Sequence, residues 1–204
     1  MSSETLNPTT TAIVFIEYQN EFTTEGGKLH DAVKNSMASN KMLENSKKVL
    51  DFARAHNILV IHEAIYFSGD YREIKNVTFG TLAACKGGAF AEGSWGAAIC
   101  DTMKPQTETE HVIRKTGLCG FSTTNLDFVL RANGIQTVAI GGFLANCCVE
   151  GTLRIAYEKG YHVVALSDCV AATSLEALDA TIKYNYPHYS VPLTSDEFLS
   201  KLTA

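Results

Sequence analysis

Four short apolar runs stand out along the chain: TAIVFI (11–16), ILVIHEAI (58–65), TVAIGG (137–142) and HVVALS (162–167). None shows the strict apolar–polar alternation of a half-exposed strand, so the pattern predicts strands buried on both faces. HVIRK (111–115) predicts a fifth strand and HYSVPL (188–193) a sixth. Between these runs the period changes. Met42, Val49, Leu50 and Ala53 share one face of a helix predicted near 39–55, and Val149, Leu153, Ala156 and Tyr157 one face of a helix predicted near 147–159. Asn57, Gly134 and Gly160 stand where such helices should stop, because these residues tolerate the left-handed conformation of a helix end.

Strand and helix alternating in this way predict an α/β fold: an open, mostly parallel six-stranded sheet with helices on both faces, a Rossmann-like three-layer arrangement. A single domain is expected over 11–204, preceded by a polar, flexible segment at 1–10. Sheets of this kind bind ligands beyond the C-terminal ends of their strands. That points to the residues just after each run: Glu17 to Phe22, Tyr66 to Tyr71, Lys115 to Phe121 and Gly142 to Cys148. The stretch 67–109 is too long for a plain connection, and such stretches commonly shape or cover a site.

The net charge of −5, with Lys and Arg scattered rather than clustered, argues against a nucleic-acid or anionic-membrane partner and in favour of a small-molecule substrate. No run approaches the ~18 apolar residues of a membrane span, and the polar start lacks the pattern of a signal peptide, so a cytoplasmic protein is expected. The six cysteines are dispersed through a chain that is 46% hydrophobic, which favours free thiols over a disulfide framework. CxxC pairs and closely spaced histidines do not occur, and neither a metal nor a cofactor is expected.

Three strand ends carry groups with chemical potential. Cys148 falls in the first turn of the helix after TVAIGG, where free backbone N–H groups favour a thiolate. Lys115 closes HVIRK, and Glu17 follows TAIVFI directly. Taken singly, a cysteine reads as a small core residue and a charged side chain as a surface group or ion pair. Together at matching strand ends they suit nucleophilic acyl transfer, with a carboxylate to accept the thiol proton and a cation to steady the charge.

AIVFIEYQNEF, VIRKTGLCGFSTTNLDFVLRANGIQTVAIGG and FLANCCVEGTLRIAYEKGYHVVALSDCVAA, in this order, resemble three motifs of the isochorismatase-like cysteine hydrolases. That superfamily includes nicotinamidases, N-carbamoyl amidases and isochorismatases. The resemblance implies a cysteine-dependent hydrolase of a small amide, N-carbamoyl or isochorismate-like compound, and a homo-oligomer. It implies Cys148 as nucleophile rather than Cys147, because the family cysteine directly precedes a valine, with Lys115 beside it and Glu17 as base. It also implies a cis peptide between Phe143 and Leu144, and an oxyanion hole formed by the amides of Leu144 and Cys148. Residues near the motifs that could line the pocket are Tyr18, Phe22, Tyr66, Phe79, Trp95, Leu118, Phe121, Leu144 and Cys147.

The chain departs from the resemblance at position 17, where the family has aspartate. A catalytically impaired protein that keeps the fold as a binding or structural member is therefore the alternative. Nicotinamidases hold a metal with an aspartate and histidines after the second strand. Here EAIYFSGDYREI offers Asp70 but no histidine close by, which disfavours that activity.

Overall fold

In the computed structural model, which describes residues 5–106 and 108–202, the expected strands form one sheet in which every pairing is parallel. They are β1 (Thr11–Ile16), β2 (Leu59–Ile65), β3 (His111–Lys115), β4 (Thr137–Phe143), β5 (His162–Ala171) and β6 (Val191–Leu193), in the spatial order β3-β2-β1-β4-β5-β6. The helices are α1 (Asn20–Thr23), α2 (His30–Ser39), α3 (Met42–Ala55), α4 (Gly80–Cys85), α5 (Leu126–Ala132), α6 (Glu150–Glu158), α7 (Leu175–Ala180) and α8 (Ser195–Lys201).

The continuous apolar runs are explained by what lies on either side of them. On one face Ile13, Phe15, Val60, Val164 and Leu166 pack with Val33 of α2, Val49 and Leu50 of α3 and Phe198 of α8. On the other, Val14, Ile16, Ile61, Val138 and Ile140 pack with Leu126 and Leu130 of α5 and Leu153 and Ala156 of α6. The central strands are thus mostly apolar because both their faces are covered. Among the described residues, no helix is long and apolar enough to cross a membrane.

Two departures from the sequence reading have local causes. β5 runs to Ala171 although Ser167 and Asp168 interrupt its apolar run, because a register shift between Ile140 and Gly142 lets Val170 and Ala171 pair with Gly142 and Phe143. The helix expected near 39–55 begins only at Met42, since Lys41 turns left-handed at φ +54 and separates it from α2. Residues 1–4 of the segment expected to be flexible lie outside the described residues. Within the rest of it, Leu6 is buried and donates its amide to the Lys201 carbonyl at 2.8 Å, which ties it to the end of α8.

The order 3-2-1-4-5-6 means that the chain winds outward in both directions from β1 and β4. A crevice opens where the winding reverses, beyond the C-terminal ends of these two strands. Gly142 permits their contact: its φ is +135°, and a Cβ there would overlap the Ile16 backbone.

Candidate active site

Glu17 directly follows β1, takes a left-handed φ of +57° and donates its amide to the Glu63 carbonyl at 2.7 Å. This breaks the strand alternation and leaves the carboxylate at the crevice. Lys115 lies two strands away, at the end of β3. Its ammonium spans that gap and donates to Glu17, and also to the carbonyls of Gly117 and Leu118 at 3.0 Å each. A lysine has three protons to donate, and all three are engaged. Both side chains are essentially sealed from solvent. Burial alone would lower the Lys115 pKa, but Glu17, reinforced by Cys148 and Glu63, outweighs it and raises the pKa.

Cys148 stands in a π-helical turn, Ala145–Val149, that leads into α6. It follows Leu144, which is extended, and the Phe143–Leu144 peptide is cis. The neighbouring Cys147 thiol, burial and the Glu17 charge all favour the protonated form of Cys148. The Cys148 pKa is therefore raised, although its place in the chain suggested a stabilised thiolate. Burial and a nearby carboxylate outweigh the local backbone dipoles. Cys147, beside Cys148 and 3.7 Å from the Thr81 hydroxyl, is lowered to about 7.

Glu17 and Cys148 line one cavity of about 210 Å³. The structure sorts the pocket candidates by burial and position. Phe22, Leu118 and Leu144 line the cavity. Tyr18 does not: it is packed beneath the sheet end, and its hydroxyl bonds with Ser46 and donates to the Cys169 carbonyl. Phe121 is stacked on Tyr161 in the opposite core layer. Tyr66 lies under Arg114 beside a separate depression, Phe79 and Trp95 are exposed, and Cys147 is outside the cavity lining. Proximity in sequence to a motif does not fix which way a ring points, and these rings went to the core or to the surface.

Several lining residues were missed. Thr81, Cys85 and Phe90 come from the long stretch after β2, which does cover the site, as its length and glycines suggested. Leu29 and Val33 come from the start of α2, whose weak apolar pattern gave no warning. Thr173 follows β5 and would have been found had that strand been carried to Ala171.

The motif around Glu17 holds the cover in place. The Gln19 side-chain amide donates to Ile65 O at 2.9 Å and Ala97 O at 2.7 Å and accepts from Ile65 N at 2.9 Å. Asn20 donates to Trp95 O, and the Glu21 carboxylate accepts from the amides of Lys28 and Phe90.

Glu63 was not anticipated at all. It lies on β2, paired in register with Ile16 and Ile113, on the path that Lys115 crosses. It is buried, and neither carboxyl oxygen has a hydrogen-bond partner among the described residues. Burial pushes its pKa up to about 7, with Lys115 opposing and Glu17 assisting. A larger depression, about 450 Å³, lies near the opposite end of the sheet, but its charged groups are already committed. Arg54 and Glu110 pair at 2.6 Å, and Glu110 also accepts from His62. Burial would raise the Glu110 carboxyl, but these hydrogen bonds prevail and hold it at about 2.

Comparison with known proteins places this arrangement in context. The family model for the isochorismatase domain matches residues 11–197. The ureidoacrylate amidohydrolase RutB of Agrobacterium fabrum is 33% identical over 193 residues, covering 89% of this chain and 84% of its own. Among solved structures, N-carbamoylsarcosine amidase from Thermoplasma acidophilum superposes with a TM-score of 0.74 at 28% identity, covering 92% of this chain and 98% of its own. A cysteine hydrolase from Pseudomonas syringae pv. phaseolicola reaches a TM-score of 0.86 at 24% identity, over 96% of this chain and 93% of its own, and shows the shared fold.

Proposed function

The chain belongs to the isochorismatase family of hydrolases, and from that premise we propose that it cleaves the C–N bond of a small amide or N-carbamoyl compound, with Cys148 as nucleophile. The observation that carries this reading is the meeting of Cys148 and the Lys115-bound Glu17 carboxylate at one small, largely enclosed cavity. The names of two relatives, a ureidoacrylate amidohydrolase and an N-carbamoylsarcosine amidase, support amide-type bonds as the target.

In the resting site Cys148 keeps its proton and Glu17 is the acceptor beside it. As the Cys148 sulfur attacks the substrate carbonyl carbon, Glu17 takes the thiol proton, and Lys115 steadies the negative charge that moves outward from the carboxylate. The amides of Leu144 and Cys148 hold the tetrahedral oxyanion. Collapse of that intermediate breaks the C–N bond, and the leaving nitrogen takes the proton back from Glu17. A thioester remains on Cys148. Water then loses a proton to Glu17 and attacks the thioester carbonyl, and the departing sulfur is reprotonated, so that amide plus water has become acid plus amine. The glutamate is suited to this place: its longer side chain meets the Lys115 ammonium from a left-handed backbone position.

The test is ammonia release from a panel of small amides and N-carbamoyl compounds by the wild type and by Cys148→Ala. Release that is lost in Cys148→Ala supports the reading. Equal release by both would remove Cys148 from the mechanism.

A further inference from the structure

The cavity at Cys148 is lined by a buried carboxylate and thiol, by two threonines at exposed positions, and otherwise by apolar side chains. Glu17 and Cys148 are its buried polar groups, and Phe22, Val33, Phe90, Leu118 and Leu144 supply most of the apolar wall. Thr81 and Thr173 line it from exposed positions.

Among the described residues no lysine or arginine lines this cavity, and Lys115, bound to Glu17, has nothing left to offer a ligand. Its three protons go to Glu17, Gly117 O and Leu118 O, and it is 1% exposed. The pair it forms with Glu17 is neutral overall, and Glu63 behind it adds no positive charge. A carboxylate on the substrate would therefore leave water for a mostly apolar wall with no cationic partner, next to the Glu17 carboxylate, a transfer that is strongly unfavourable. An alkyl or alkenyl arm in the same place gains by burial. The volume, about 210 Å³, is below the ~300–1,000 Å³ typical of drug-sized sites, so the arm must be short.

We propose that this site takes uncharged substrates, a primary amide or monosubstituted urea bearing a short branched or unsaturated hydrocarbon arm, and rejects analogues that carry a carboxylate on that arm. The inference rests on the hydrolase reading above for its chemistry. It separates this chain from its ureidoacrylate-hydrolysing relatives, whose named substrate is an acid.

The experiment uses two pairs matched in size, in which a carboxylate replaces an isopropyl group: isocaproamide against succinamate, and isopentylurea against β-ureidopropionate. With the full chain, kcat/KM from ammonia release is expected to favour the uncharged member of each pair by at least ~100-fold. Binding of the same four compounds to Cys148→Ala, followed by titration calorimetry, is expected to show the same preference by at least ~10-fold. Equal or better use of the charged member in either pair overturns the proposal, as does failure of both uncharged compounds to bind at millimolar concentration. Uncharged compounds that bind preferentially yet release no ammonia would uphold the specificity and defeat the hydrolase reading, so the two fail separately.

Discussion

Gly120 backs directly onto the Glu63 carboxyl, so closely that a Cβ at position 120 would overlap its oxygens. The loop after β3 thus closes over a buried acid, and its amide at Gly120 is anchored to the Thr152 hydroxyl at 2.9 Å. Gly120→Ala is expected to cost about 1–3 kcal/mol, the range for an overpacked site, because either a buried carboxyl or a tethered backbone must move. Urea unfolding measures it. The cost should shrink in a Glu63→Ala background, and strict additivity of the two changes would show that they do not touch.

Glu63 also sets a pH dependence. Its carboxyl is near the ordinary value, 4.5, when unfolded and is raised to about 7 when folded. The folded state therefore holds the extra proton, and the stabilisation is full below pH 4.5 and lost as pH rises through 7. By linkage this is on the order of 2–3 kcal/mol between pH 5 and pH 8. Glu110, held at about 2, acts in a separate window: its contribution is present above pH 4.5 and lost in acid. Unfolding free energies of wild type and Glu63→Gln at pH 5 and pH 8 isolate the Glu63 part. An unchanged pH slope in the variant would assign the dependence elsewhere.

Position 17 tests the mechanism. Glu17→Gln keeps an acceptor for Lys115 but removes the base, and turnover should fall by at least ~10²-fold while circular dichroism remains native. Glu17→Asp suits the left-handed backbone better, yet its shorter side chain draws away from Lys115, and a displacement of ~1 Å can cost on the order of a hundredfold. A lower turnover is expected for it too. If all three proteins turn over equally, position 17 is not the base.

The neighbouring thiols should divide by reagent. Cys147, lowered to about 7 and only partly buried, is expected to react first with a small alkylating agent near neutral pH, and faster as pH rises through 7. Cys148, which lines the cavity and keeps its proton, should be the one acylated by a substrate-like reagent. Peptide mapping separates the two. Cys147→Ser should retain turnover, whereas Cys148→Ser should lose at least ~10³-fold. Acyl groups recovered on Cys147 would reverse the assignment.

The strands, their order of appearance and the three positions proposed here as catalytic were legible in the linear chain. A strand buried on both faces must be mostly apolar, and a site at strand ends must follow those runs, as Glu17, Lys115 and Cys148 do. Tertiary structure alone decided what surrounds them. That Tyr18 and Phe121 turn into the core while Leu29, Val33 and Thr81 face the cavity depends on which helix lies over which strand end. The sequence sets the periodicity of a segment but not its rotation against a distant one. Glu63 shows the same limit: in ILVIHEAI it is one acid in an apolar run, and only the pairing of β2 between β1 and β3 puts it beneath Lys115. The thiols likewise take their proton affinities from burial and from charges brought in by other strands, because electrostatic coupling follows distance in space rather than separation along the chain.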